Sequence, residues 1–209
     1  MRKNGDTTTY RESLKVRIME TAMSLFKQHG IKSVKMDDIA TELGISKRTL
    51  YETYNNKEEL LFEGVRHAAD VQHKQLSEYA EKAGNEMDIV AFFLRMRLKD
   101  LGTINPLFFS EMHKYSKIIA FLQQQNEIRR TSSIQFMKRG IKNGYFRADL
   151  NYDIVSRLGE AATDFAMKTK MYQRYPLKEI FRTFTVIYLR GCCTDKGLTY
   201  LETVLGMNE

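Results

Sequence analysis

The chain has no tryptophan, only two prolines and two cysteines in 209 residues, and no apolar run approaching the length of a membrane span. The two cysteines, Cys192 and Cys193, are adjacent, and MRKNGDTTTY lacks the apolar stretch of a secretory signal. Together these exclude a disulfide-built scaffold and imply reduced thiols in a cytoplasmic protein. The pair fits small buried side chains at a helix end, and a bridge across a dimer is the alternative. His29, His67, His73 and His113 show no metal-ligand spacing, and there is no phosphate loop, dinucleotide fingerprint or nucleophile elbow. Hence no catalytic residue, metal or cofactor is expected, and a helical enzyme is the remotest reading. Period-two alternation, internal repeats and heptad series are missing too, which leaves an all-α chain without a sheet.

What is present begins at residue 34. Ile39, Ala40 and Leu43 fall on one helical face, Gly44 stands where a helix end favours a left-handed residue, and Ser46 is a good N-cap for the next helix. Ala40 is small enough for two helices to cross closely. The following helix, about 47–53, turns Leu50 inward and leaves Lys47, Arg48, Thr49, Tyr51 and Glu52 for solvent or a partner. This is a helix-turn-helix, with a second helix of the size that enters a major groove.

Charge placement supports that reading better than total charge does. Residues 1–57 hold 11 Lys and Arg against 7 Asp and Glu, so the net +7 of the whole chain is only partly concentrated there. Lys47 and Arg48, however, occupy a first helical turn, where the macrodipole disfavours cations unless an anion is the partner. Lys57 repeats the pattern beside Asn56 and Glu59, which resemble a capping box, and backbone N–H groups with a lysine make a natural phosphate site. Thr49, Tyr51 and Tyr54 add hydroxyls, and Arg2 and Lys3 fit an arm brushing the DNA backbone. Any one of these residues equally fits an ordinary solvated surface; the cluster carries the inference.

The remainder reads as helix. A first amphipathic helix, about 11–29, carries Leu14, Ile18, Ala22, Leu25 and Phe26 and is closed by Gly30. A longer one runs from about 57 to 80 with Leu60, Leu61, Gly64, Val65, Ala68 and Val71 inward. Gly84 and Asn85 break it before a helix at about 88–101, and Asn105-Pro106 opens another. A long helix at about 118–143 is closed by Gly144. Two more, about 152–172 and 177–190, bear small and aromatic residues at helical spacing.

The segments Met36-Asp37-Asp38-Ile39-Ala40, Leu43 through Tyr51 and Tyr54-Asn55-Asn56-Lys57-Glu58-Glu59-Leu60 resemble the DNA-binding domain of TetR-family transcriptional regulators. Ile18, Ala22, Leu25, Phe26 and Gly30 extend the resemblance upstream, over roughly the first third of the chain. Two positions depart from the family pattern. Val34 and Lys35 stand where a capping Thr or Ser pair is usual, so Lys35 supplies charge but no cap, and Tyr54 replaces a commoner Phe.

The resemblance implies a three-helix head over residues 1–57, with Lys35, Lys47, Arg48, Thr49, Tyr51, Tyr54 and Lys57 on DNA. It also implies a larger helical effector-binding and dimerisation domain over 58–209, entered by a connecting helix from about 57. Dimer contacts are expected at Leu158, Ala162, Phe165, Ile180, Phe184 and Tyr188; packing within one chain is the competing reading of the same spacing. A twofold pair of heads reads an inverted repeat in adjacent major grooves. An apolar or aromatic effector is expected near Phe92, Met96, Phe108, Met112, Tyr115, Phe121 and Phe136, although such a stripe equally suits plain core. The implied function is a dimeric repressor released from a palindromic operator by that effector. An activator, or a DNA-binding subunit governed by a protein partner, is the alternative.

Overall fold

The computed structural model describes the backbone of residues 4–205 and the side chains of residues 10–203; Arg2 and Lys3 lie outside the described residues. Ten α-helices account for most of it: α1 (Asn4–His29), α2 (Met36–Leu43), α3 (Lys47–Thr53), α4 (Lys57–Lys82), α5 (Glu86–Leu101), α6 (Pro106–Met112), α7 (Ser116–Lys142), α8 (Tyr152–Lys168), α9 (Leu177–Cys192) and α10 (Asp195–Leu205). Among the described residues the only extended pairing is a single antiparallel bridge between Phe146 and Cys193. No helix among them is long and apolar enough to cross a membrane.

Local chemistry sets most helix ends. Asn85, Asn105 and Asn151 each accept hydrogen bonds from first-turn N–H groups of α5, α6 and α8, satisfying donors that the helix itself leaves unpaired. Asn56 does the same for Glu59 at 2.9 Å. Glu59 reaches back to the Asn55 N–H at 3.0 Å rather than to the N-cap residue, so the box is displaced by one position. α10 is a helix that periodicity did not announce. It follows Cys193, whose extended backbone breaks the chain after α9.

The helices sort into two compact units. The first holds the described residues through Val71 together with Ile104–Ile119; the second holds Gln72–Thr103 and the described residues from Ala120 onward. The core of the first is built from Ile18, Ala22 and Phe26 of α1, Ile39 of α2, Leu50 of α3, and Leu60 and Leu61 of α4. Segment 104–119 joins them by specific bonds. The Asn105 N–H donates to the Lys27 carbonyl at 2.7 Å, and the Lys32 N–H donates to Glu111 Oε2 at 2.6 Å. Gly30, with φ +84°, lets Leu107 pack where any side chain would press on its Cβ at 3.1 Å.

The second unit centres on Met87, Ala91, Phe146, Cys193 and Leu201, with Phe136, Tyr152, Leu189 and Tyr200 against them. Burial pushes the Cys193 thiol up to about 12, with the neighbouring Cys192 adding to it. The thiol is therefore protonated at neutral pH and is a core side chain rather than a nucleophile. Ala68 and Val71, expected inward on the helix after the head, are exposed on α4.

Candidate nucleic-acid interface

α2 and α3 form the helix-turn-helix, and its angle follows from three residues. Gly44 is left-handed at φ +65°, and its N–H bonds the Thr41 carbonyl while the Ile45 N–H bonds that of Ala40, closing α2. Ser46 then accepts the Thr49 N–H at 3.1 Å to start α3. Leu50 is fully buried, so α3 is fixed by its inner face and presents the opposite one.

That presented face carries Lys47, Arg48 and Tyr51, all exposed. Each cation has a carboxylate partner on the protein surface. Lys47 Nζ lies 2.5 Å from Asp37 Oδ2 on α2, and Arg48 Nε lies 2.8 Å from Glu52 Oε1 one turn on. Hydrogen bonding to these partners raises the pKa of both groups, so both remain charged. Two cations held at a helix start by weak, solvated pairs exchange readily to phosphate or a base edge. The Thr49 hydroxyl sits 2.8 Å from that of Ser46, within the cap. Lys35 is exposed as the N-cap residue of α2, and its N–H donates to Asp38 Oδ2 at 2.8 Å. Asp38 thus supplies half of a capping box that the lysine side chain cannot complete.

Two expected contacts are corrected by the geometry. Tyr54 is 2% exposed, with its hydroxyl 3.4 Å from the Lys15 carbonyl and its pKa pushed up to about 12, chiefly by burial. The ring is buried in the core against α1, so its hydroxyl is not available to DNA. Lys57 points into the head: its ammonium donates to the Ile31 and Val34 carbonyls, both at 2.9 Å. Burial lowers its pKa, against the opposing pull of Glu111 and Asp38. The lysine ties the loop before α2 to the start of α4. Lys57→Ala is expected to destabilise the head by about 1–2 kcal/mol, because two carbonyls lose a charged donor. Chemical denaturation measures this. A salt slope of DNA binding lowered by about one phosphate, with stability unchanged, would return Lys57 to the phosphate backbone.

Spacing alone missed Asp37 as the Lys47 partner, because the pair joins two helices. The Arg48–Glu52 pair, at i,i+4, was readable. Glu111 and Asn105 were also missed as anchors of the first unit.

The aromatic and methionine positions are distributed over both units. Phe108, Met112 and Tyr115 belong to the first, where Phe108 is buried; Phe92, Met96, Phe121 and Phe136 belong to the second. Phe92 stacks on Tyr79 at 4.1 Å, and Phe136 packs against Phe146. A recess of 360 Å³ in the first unit is lined by Lys32, Lys57, Glu58, Glu111 and Tyr115 among others, a charged surface unlike an apolar pocket.

On α8, Leu158 and Phe165 are 60% and 61% exposed, joined by Ile154, and Ile187 on α9 is 66% exposed. Ala162, Ile180 and Phe184 are half-buried beside them. Tyr188 instead links the two helices within the chain: its hydroxyl donates to the Val155 carbonyl at 2.6 Å, and its ring lies against Gly159.

The sequence model of "Bacterial regulatory proteins, tetR family" matches residues 18–63, the span from mid-α1 to the start of α4. Over that span the chain matches the DNA-binding head of the tetR family. The chain is 23% identical over 155 residues to the HTH-type transcriptional repressor KstR2 of Mycobacterium tuberculosis, covering 67% of this chain and 72% of that one. The fold extends the likeness beyond the matched head. The structure of KstR2, a ketosteroid transcriptional regulator, superposes with a TM-score of 0.59 at 19% identity, covering 87% of this chain and 95% of that one. A protein from Saccharomonospora viridis described as a transcriptional regulator, crystallised with choline, gives 0.70 at 18% identity over 88% and 99%. The regulator FadR from Bacillus subtilis, crystallised with stearoyl-CoA, gives 0.60 at 16% over 84% and 98%. The matched head and the repressor relatives support a DNA-binding transcriptional regulator.

Proposed function

We propose that the protein is a homodimeric repressor that holds an inverted-repeat operator and is released from it by a small molecule. The observation that carries the reading is the apolar face of α8 and α9, where Ile154, Leu158, Phe165 and Ile187 are left to water. Large apolar side chains left exposed on one helix pair favour a protein interface on general grounds, and a helix pair meeting its own copy would make a four-helix seam. One seven-residue recognition helix makes few contacts, so a twofold pair supplies the needed affinity. Lys35, Lys47, Arg48, Thr49 and Tyr51 are the side chains we assign to DNA, with Arg2 and Lys3 as backbone contacts. DNA reading belongs to residues 1–57, and assembly and effector binding to 58–209.

The effector is assigned to the aromatic and methionine side chains of the second unit, Phe92, Met96, Phe121 and Phe136. Bound there, it acts only through its preference for a dimer whose heads are wrongly spaced for the operator. The fold neighbours were crystallised with molecules as unlike as choline and stearoyl-CoA, so the fold leaves the ligand to the side chains of each chain. Work on DNA places the protein in the cytoplasm.

Selection of bound fragments from the source genome at near-physiological salt tests the reading, with the Lys47→Ala/Arg48→Ala protein in parallel. Enrichment of a short inverted repeat, absent with the double variant, is the expected result. Enrichment of single half-sites would overturn the dimeric reading, and no enrichment above the variant would remove α3 as the reader of sequence.

A further inference from the structure

We propose that the second unit binds an amphipathic anion, an apolar molecule bearing one acidic group, with Arg97 of α5 and Arg129 of α7 as its cationic anchors. The proposal rests on the effector-binding reading above and narrows it to one chemical class. Both arginines are half-buried, and neither has a carboxylate within ion-pair distance among the described residues. The contrast with their neighbours is sharp. Arg130 pairs with Glu127 and Asp153, Arg139 with Glu86, Arg147 with Asp149, and Arg157 with Asp153.

Arg97 has an aromatic ring for company instead, its guanidinium carbon 5.6 Å from the centre of the Phe93 ring one turn earlier. Burial lowers its pKa; Asp100 opposes that, and the positive charge of Arg129 adds to it. Arginine keeps its proton in proteins, so both residues stay charged in a partly desolvated place. Such an arrangement costs stability unless an anion fills it, since an uncompensated buried charge is among the most expensive groups in a fold. A planar guanidinium supported by a ring is also well shaped to take a carboxylate or phosphate through two parallel hydrogen bonds.

The surroundings supply the apolar half of the site. Phe92 and Met96 lie one turn apart on α5 and alternate along it with Phe93 and Arg97, and Phe92 stacks on Tyr79. An extended or flat apolar body along these side chains would place its acidic end at the arginines. A neutral molecule of the same shape would leave both charges without a counterion.

The test uses three length-matched probes, decanoate, decyl phosphate and decanol, titrated calorimetrically into delipidated full-length protein. Wild type, Arg97→Gln, Arg97→Lys and Arg129→Gln are compared, with operator occupancy followed alongside. At least one anion should bind about ten- to a hundredfold more tightly than decanol, the span of a charged hydrogen bond. That preference should collapse in Arg97→Gln and partly persist in Arg97→Lys. Which anion binds better separates a carboxylate ligand from a phosphate one. Ligand-free Arg97→Met should melt no lower than wild type, since it removes a half-buried charge that has no carboxylate partner; a lower melting temperature would mean a structural arginine and overturn the proposal. Equal binding of decanol, or no binding of either anion, overturns it as well. Arginine-dependent anion binding that leaves DNA occupied would keep the site and remove the effector reading; DNA release by decanol alone would do the reverse.

Discussion

A chain carrying Leu158→Glu with Phe165→Glu will sediment as a monomer and bind an inverted repeat about a hundredfold or more weakly, the avidity forfeited when two linked sites are separated. Both side chains are some three-fifths exposed on α8 and touch little within their own chain, so neither change disturbs the fold. Exposed substitutions of this kind alter stability by about 0.5 kcal/mol or less. In a dimer the same positions lie in the seam, and each subunit would bury two carboxylates against apolar side chains, which is prohibitive without partners. Circular dichroism and the melting curve should therefore match wild type at low concentration. Affinity for an isolated half-site should be unchanged, because each head keeps its own core of Ile39, Leu50 and Leu60. A variant that remains dimeric with full operator affinity would move the interface elsewhere.

The contrast between α8 and the head shows which features a sequence makes legible. Gly44, Ser46 and Asn105 act on backbone groups within a few residues, so their side-chain chemistry announces the turn and the helix starts directly. The exposed face of α8 was legible for the same reason, as a periodic stripe; whether another helix of the same chain covers it depends on packing, which periodicity does not carry. Tyr54 shows the opposite limit. It follows a short helix as an apparent surface hydroxyl, yet its extended backbone at φ −136° and ψ 122° turns the ring into the core. Lys57 likewise looked like a phosphate ligand because its partners, the Ile31 and Val34 carbonyls, lie far back in sequence. The placement of segment 104–119 in the first unit rests on bonds to Lys27 and Lys32 that no local pattern encodes. Arg97 was hidden by its company, one of two charges in Arg95-Met96-Arg97, with the lack of an ion-pair partner for Arg97 visible only in three dimensions.

Lys47→Ala and Arg48→Ala should weaken operator binding by about ten- to a hundredfold for each base-edge interaction removed per head, an effect that the proposed twofold dimer would count twice. The weakening should be uneven across sequences. A side chain reading a base edge matters on the preferred operator and little on random DNA, whereas a phosphate ligand weakens both alike when removed and lowers the salt slope by about one per head. The geometry adds a second, opposite test. Asp37 and Glu52 hold the two cations in the free protein, and both carboxylates must part from them or approach the phosphates when DNA binds. Asp37→Asn and Glu52→Gln should therefore tighten binding to all sequences, most strongly at low salt where repulsion is least screened. Lys47→Ala alone leaves Asp37 unpaired and facing the DNA, so Lys47→Ala combined with Asp37→Asn should recover part of the affinity without recovering the sequence preference. Competition binding against operator and scrambled duplexes separates these outcomes. Equal weakening on both duplexes would assign Lys47 and Arg48 to the phosphate backbone and leave Thr49 and Tyr51 as the readers of sequence.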